Sequence, residues 1–267
     1  MKKLYFLLLS ALGLALSLYP LQSQATPTLA PQATAEQILD SNKSLPDYKA
    51  LHTLIANKNK PIMWVITGDS ITHGCLHTKG QRSYPELWME RVKWELRRIN
   101  DIVVNTGVSG DTSDGVLKQF DWRIGQFSPQ VVSVNFGVND VTKLGNCNTV
   151  AFKKNLETIV ANIRKIKAIP VLQVPSHIDA SAGVRYTNLP KFNQIVRQVA
   201  KDKKVLLVDN DEHWTRYAKS PEIEKSWRND SLHPNGIGHA EMFKIMAYEL
   251  GLFDSKSPAC QAGNKTL

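Results

Sequence analysis

The chain has 267 residues, with 33 Lys and Arg against 24 Asp and Glu, giving a formal charge of +9 that falls to +7 without Lys2 and Lys3. The basic residues are dispersed as Arg97-Arg98, Lys153-Lys154 and Lys201 to Lys204 among helical apolar positions. They read as solvated helix faces and exclude a basic, aromatic-lined nucleic-acid stripe. Three cysteines exclude a disulfide scaffold, since an odd count permits at most one intramolecular pair.

Residues 1–25 carry the pattern of a secretory signal: Lys2-Lys3, the apolar Leu4 to Leu18, and Ser23-Gln24-Ala25 as a small-residue cleavage site. The apolar run is shorter than the about 20 residues a membrane span needs, so no stable membrane insertion is expected after cleavage. Removing 25 of 267 residues leaves 242, enough for one large α/β domain. The expected location is therefore exported, periplasmic or secreted, a compartment that permits disulfides.

Residues 26–60 read as an N-terminal extension, flexible to about Ala33 and partly helical beyond, where Ile38, Leu39, Leu51, Leu54 and Ile55 are able to cover a core. The domain proper is expected over 61–253, with 254–267 a tail. Ile62 to Ile66 suits a buried strand, and Gly68 and Gly74 punctuate a turn holding Ser70. A helix from Tyr84 to Arg98 is expected to turn Trp88, Val92, Leu96 and Ile99 to one face. Strand 102–105 ends in the turn Asn105 to Thr112, and strand 131–135 ends in Gly137-Val138-Asn139-Asp140. Then come a helix from Thr149 to Lys167, strand 170–174, a helix to about Asp202, strand 205–208 and a last helix over 236–250. This order predicts an α/β fold, a three-layer α/β/α sandwich on a mostly parallel five-stranded sheet.

In such sheets ligands bind beyond the strands' C-terminal ends. Ser70, the Gly107–Thr112 turn and the Gly137–Asp140 turn should therefore meet on one rim. A serine hydroxyl attacks at neutral pH only when a neighbouring imidazole removes its proton. Among seven histidines, His233 in Asp230-Ser231-Leu232-His233-Pro234 has the most useful context, because Asp230 can reach its other ring nitrogen within one turn. Asp69 diverges from its neighbour on a tight turn and reads as turn support.

Gly68-Asp69-Ser70-Ile71, Gly110 in Ser109-Gly110-Asp111-Thr112, Gly137-Val138-Asn139-Asp140 and Asp230-Ser231-Leu232-His233 together resemble the first, second, third and fifth blocks of the SGNH (GDSL-type) hydrolase superfamily. The resemblance spans residues 62 to about 250. It implies a flavodoxin-like sandwich and a serine esterase without a cofactor or metal. Ser70 would be the nucleophile, His233 the general base and acid, and Asp230 its orienting carboxylate. The Ser70 and Gly110 N–H groups and the Asn139 side chain would form the oxyanion hole. There is no Gly-x-Ser-x-Gly elbow, so the chain departs from the α/β-hydrolase pattern.

Other readings stay open. His73 to His77 with Cys75 has zinc-ligand types, set against a rim loop in which His73 lines the substrate. Asp209 to His213 has calcium-ligand types, set against a turn and helix cap. Trp64, Trp88, Trp94, Trp122, Trp214 and Trp227 are core candidates, and for Trp227, three residues before Asp230, lining the substrate pocket stands equally beside a place in the core. Cys75 and Cys147 lie near motif ends on the same rim and are an expected disulfide, leaving Cys260. The substrate is expected to be an ester, a short acyl group such as acetyl on a carbohydrate. The alternatives are a lysophospholipase or thioesterase on longer acyl chains, an acyltransferase, and a catalytically silent carbohydrate-binding module. The oligomeric state is not legible in the sequence.

Overall fold

A computed structural model of the chain describes residues 33–145 and 147–262. The expected signal segment lies outside the described residues. Five strands, β1 (Met63–Gly68), β2 (Ile102–Asn105), β3 (Val131–Asn135), β4 (Ile169–Val174) and β5 (Leu206–Asp209), form one all-parallel sheet in the order β2-β1-β3-β4-β5. β3 and β4 are buried at every position, as expected for apolar, β-branched runs covered on both faces. Each fully buried apolar side chain contributes roughly 1.5–3 kcal/mol.

The helices are α1 (Ala35–Lys43), α2 (Pro46–Ala56), α3 (Ser70–His73), α4 (Tyr84–Glu90), α5 (Ser113–Lys118), α6 (Phe120–Arg123), α7 (Asp140–Lys143) and α8 (Thr149–Lys165). After these come α9 (Val184–Lys203), α10 (Asn210–Tyr217), α11 (Pro221–Ser226) and α12 (Gly236–Glu249). α8 packs on α5 and α9 in one layer, while α12 packs on α1 and α4 in the other. α8 shows how the sequence specifies such a layer. The Asn148 side chain caps it by accepting from Ala151 N–H at 2.9 Å. Phe152, Leu156, Ile159 and Ile163 bury one face, and Arg164 and Lys165 sit at its carbonyl end. No described helix is long and apolar enough to cross a membrane.

The helix expected over Tyr84 to Arg98 differs from its expectation. α4 starts on a Ser83/Glu86 capping box, but Arg91–Glu95 is a π-helical turn in which Leu96 N–H donates to Arg91 O at 2.8 Å. The helix ends with this turn at Glu95, and Arg97 adopts a left-handed φ of +55°, so the residues beyond leave the helix. Leu96 is half-buried, Ile99 is 65% exposed, and Trp94 is exposed rather than core, as is Trp122. Beyond this early end Arg98, expected on a solvated face, is buried. Its guanidinium pairs with Asp101 at 2.7 Å and donates to the carbonyls of Ile55, Asn57 and Lys60, fixing the approach to β1.

The described residues form one compact unit, so the helices placed in an N-terminal extension are part of the same body. Asn42 on α1 shows why. It is buried against the edge strand β5, where its amide oxygen accepts from Leu207 N–H at 3.0 Å. Its amide nitrogen donates to Leu207 O and Glu249 O at 2.8 and 2.9 Å. One side chain thus satisfies an open sheet edge that would otherwise carry unpaired backbone groups. The described end of the tail also packs inward: Cys260 is buried and Ala259 N–H donates to Glu95.

Asn42→Ala leaves those groups without partners, so the free energy of unfolding should fall by about 1–3 kcal/mol. Urea unfolding should show the loss while activity per folded molecule is unaltered, and an unchanged midpoint would contradict it.

Candidate active site

The strand order reverses between β1 and β3, and the crevice opened there is where open parallel sheets bind ligands. β1 ends at Gly68, Asp69 caps the single-turn α3 by accepting from Ile71 N–H at 2.9 Å, and Ser70 is its first residue. The turn after β2 continues the ladder onto β1 through Thr106 N–H to Ile66 O and Val108 N–H to Gly68 O. Gly107 passes so close to α3 that a β-carbon would lie 2.4 Å from His73 N, and Gly110 adopts φ +79°, which favours glycine. Asn139 lies just beyond β3 at the head of α7.

Ser70 Oγ lies 2.9 Å from His233 Nε2, and His233 Nδ1 lies 2.9 Å from both carboxylate oxygens of Asp230. Ser70, Gly110, Asn139 and His233 line a cavity of about 340 Å³ with Ile71, His77, Ser109, Val138 and Leu232. The residues that the sequence placed at one rim are thus brought together. Asn139 Nδ2 donates to Asp111 O at 3.1 Å and more weakly to Asp69 at 3.4 Å.

The loop carrying Asp230 and His233 is tied at both ends. Asn235 caps α12 by accepting from Ile237 and Gly238 N–H, and donates to the carbonyls of Ser226 and Arg228. Ser231 O accepts from Asp179 N–H, and Asp230 Oδ1 accepts from Leu232 and His233 N–H. Partial burial pushes the Asp230 carboxyl up. Those two backbone N–H groups and the His233 ring outweigh it and bring the pKa down to about 2. Asp230 is therefore anionic at neutral pH and holds the His233 proton on Nδ1.

Several expected residues lie elsewhere. Trp227 does not line the pocket: it is fully buried edge-on to Trp214 at 5.0 Å and stacked on His213. Its carbonyl accepts from Asn235 N–H, so it anchors the loop of Asp230 and His233 from below. His73 is exposed, its Nδ1 bonded to Ser109 Oγ at 3.0 Å outside the cavity lining. Cys75, Cys147 and Cys260 are all free thiols, so the expected Cys75–Cys147 bridge is not formed. Arg197 takes Asp209 and Asp211 as ion-pair partners, while His213 is buried on Glu241. That stretch is the start of α10, with Asp209 capping Glu212 N–H.

Two site roles escaped the sequence reading, which had His77 only in a rim loop with zinc-ligand types. His77 stacks on His233 with ring centroids 3.5 Å apart. Arg123 is buried beneath the site, donating to Thr67 Oγ1, Gly68 O, Thr106 O and Asp111, which clamps the β1 and β2 turns together. No local pattern marks Arg123 as more than one polar residue of a short amphipathic helix.

The sequence profile of the GDSL-like lipase/acylhydrolase family matches residues 66–241. The chain belongs to this family. It is a carboxylic ester hydrolase of the SGNH fold. It is 23% identical to an acetylxylan esterase of Geobacillus stearothermophilus over 203 residues, 69% of this chain and 91% of that one. It is 27% identical to the thioesterase 1/protease 1/lysophospholipase L1 of Escherichia coli K12 over 187 residues, 70% and 82% of the two. A Mycoplasma pneumoniae protein is 28% identical over 170 residues, 60% of this chain but only 19% of its own length. Among solved structures, LAE5 from the metagenome of Lake Arreo superposes with TM-score 0.64 at 22% identity, covering 73% of this chain and 97% of its own. The Geobacillus acetylxylan esterase Axe2 gives 0.62 at 21%, covering 72% and 95%. These two likenesses show the shared fold.

Asp69, 2% exposed, carries the electrostatic strain of the site. Burial first, and then the Asp140 and Asp111 carboxylates, push it from an ordinary 3.8 up to about 7 against the pull of the Ile71 N–H. An acid whose folded pKa is raised stabilises the fold only while protonated. Its contribution is present below pH 3.8 and is lost as the pH rises through about 7. Asp69→Asn should therefore unfold later than the parent chain above neutrality and lose that advantage toward pH 4. Unfolding midpoints compared across this range test it, and equal midpoints at pH 8 would refute it.

Proposed function

We propose that this GDSL-family hydrolase is an exported serine esterase that removes short acyl groups, acetyl above all, from a carbohydrate through an acyl-enzyme. The observation that carries the catalytic assignment is the continuous chain from Ser70 Oγ to His233 Nε2 and from His233 Nδ1 to Asp230, at 2.9 Å in each link. In this reading His233 takes the Ser70 proton as Oγ attacks the ester carbonyl, and Asp230 stabilises the imidazolium that forms. The tetrahedral oxyanion is received by the Ser70 and Gly110 N–H groups and by Asn139. Asn139 exchanges its weak 3.4 Å contact with Asp69 for this new acceptor. One such preorganised donor is worth about 2.7–4 kcal/mol of barrier. The C–O bond to the alcohol breaks as His233 returns its proton to the leaving oxygen. Water deprotonated by His233 then attacks the acyl-serine, and the acid departs with Oγ reprotonated.

The acyl preference rests on the cavity. Its apolar side chains are Ile71, Val138 and Leu232, and Ile71 and Val138 are almost wholly covered by their own neighbours. That wall suits a methyl group better than an extended chain, which would need a long apolar trough. The acetylxylan esterase relative supports the same choice. The thioesterase and lysophospholipase relative favours longer chains as the second reading. Export rests on the signal pattern of residues 1–25.

Ser70→Ala should lower ester hydrolysis by at least about a thousandfold, the scale on which removal of a serine nucleophile acts. Retained hydrolysis in the purified variant would remove Ser70 from its role. On p-nitrophenyl esters of increasing chain length, kcat/KM should be greatest for the acetate. A maximum at the octanoate or beyond would transfer the assignment to the long-chain reading.

A further inference from the structure

His77 stands against the general base without a part in the reaction described above. Its ring is parallel to that of His233 within 4°, with centroids 3.5 Å apart. Its Nδ1 lies 3.2 Å from Asn229 Nδ2 and 3.3 Å from Asp230 Oδ2. Asn229 Nδ2 also donates to Asp230 Oδ2 at 3.1 Å. His77 Nδ1 thus faces both the Asn229 amide and the Asp230 carboxylate, two contacts that locate the ring. Burial first, then the neighbouring His233, lowers the proton affinity of His77 against the opposing pull of Asp230, which keeps the ring neutral.

His77, Asp230 and His233 also offer ligand atoms within 4.8 Å of one another. A metal ion bound through imidazole nitrogen lies close to the plane of the ring, along the lone pair. Two ring planes parallel within 4° at a 3.5 Å centroid separation have no common point that satisfies both. The stack is therefore suited to holding a ring rather than an ion.

What His233 needs from a neighbour is control of its tilt. Asp230 contacts Nδ1 with both oxygens at 2.9 Å and Ser70 meets Nε2, edge contacts that place nothing against the face of the ring. The Asp230 side chain is itself 40% exposed, so the loop offers little steric restraint on that side. A flat neighbour supplies the missing restraint, and a neutral one does so without repelling the positive charge that His233 acquires during attack. The face of an aromatic ring attracts such a charge.

We propose that His77 is a positioning residue for His233. It is a neutral imidazole, located by Asn229 and Asp230, whose face holds the His233 ring in the plane that aims Nε2 at Ser70 and that supports the imidazolium once formed. This rests on the reading of His233 as general base. His77 itself exchanges no proton with the substrate.

The test uses purified full-length chain with p-nitrophenyl acetate and, separately, the rate at which a fluorophosphonate modifies Ser70, a step that depends on the base but not on the acyl pocket. His77→Ala should lower kcat about tenfold with KM little changed, the scale of a desolvated ring–cation contact. It should slow fluorophosphonate modification to the same extent. His77→Phe keeps the flat face and should recover most of both rates. His77→Gln keeps a polar side chain but removes the flat ring, and should lose as much of both rates as His77→Ala. This second variant decides the question if His77→Ala does not fold. Unchanged kcat in His77→Ala or His77→Gln, a loss confined to KM, or a Phe variant no faster than the Ala variant would overturn the proposal. His233→Ala serves as the control, since full activity there would instead remove the base on which His77 is said to act.

Discussion

The hydrogen bond between Ser70 and His233 joins residues 163 positions apart in the chain, and little in the local structure of either would bring them together. It exists because two scaffolds are fixed independently. On one side β1 delivers Ser70 to the crevice where the sheet order reverses, with Arg123 clamping the β1 and β2 turns from below. On the other, Asn235 and the buried Trp227 hold the loop before α12, so that Asp230 can fold back onto its own backbone and onto the His233 ring. A displacement of either scaffold by about an ångström would break the contact, which makes the rigidity of these buried anchors part of the chemistry.

The floor of the site is electrostatically costly. Asp69 and Asp140 are carboxyl groups withdrawn from water and pushed up to about 7 and about 6, each chiefly by burial. Asp140 is partly compensated by the Ser113 N–H and hydroxyl, and Arg123 brings a buried positive charge nearby. The arrangement makes sense as preorganisation. Asp69 and Asp140 hold the turns on which Ser70, Gly110 and Asn139 depend, and they do so at the expense of stability near neutral pH.

Much of the fold was legible because its signals are local. β-branched runs ending in glycine turns marked β1 and β3, and the four-and-three spacing of Phe152, Leu156, Ile159 and Ile163 marked α8. Ser70, Gly110, Asn139, Asp230 and His233 were legible because each sits in a short motif at a strand end or before the last helix. The features that escaped depend on distant partners. His77 gains its meaning only from a ring 156 positions away, and Arg123 from the turns it clamps. Ile99 was misplaced because its helix ends early, in a π turn at Glu95 followed by the left-handed Arg97, which a periodicity of 3.6 does not reveal. Trp227 was close to Asp230 and His233 in sequence, but a large ring beside a tightly turned loop is most stable beneath it, against Trp214 and His213.

Catalysis in this scheme stands on the passage of the acyl group through Ser70. Rapid acid quenching of the enzyme during turnover of p-nitrophenyl acetate, with peptide mass spectrometry of the quenched protein, reads this directly. The predicted result is an acetyl group on Ser70 that accumulates within the first turnover and disappears as substrate is exhausted. A stable absence of acetylation during full turnover, or a kinetically competent acetyl group on another residue, would contradict it.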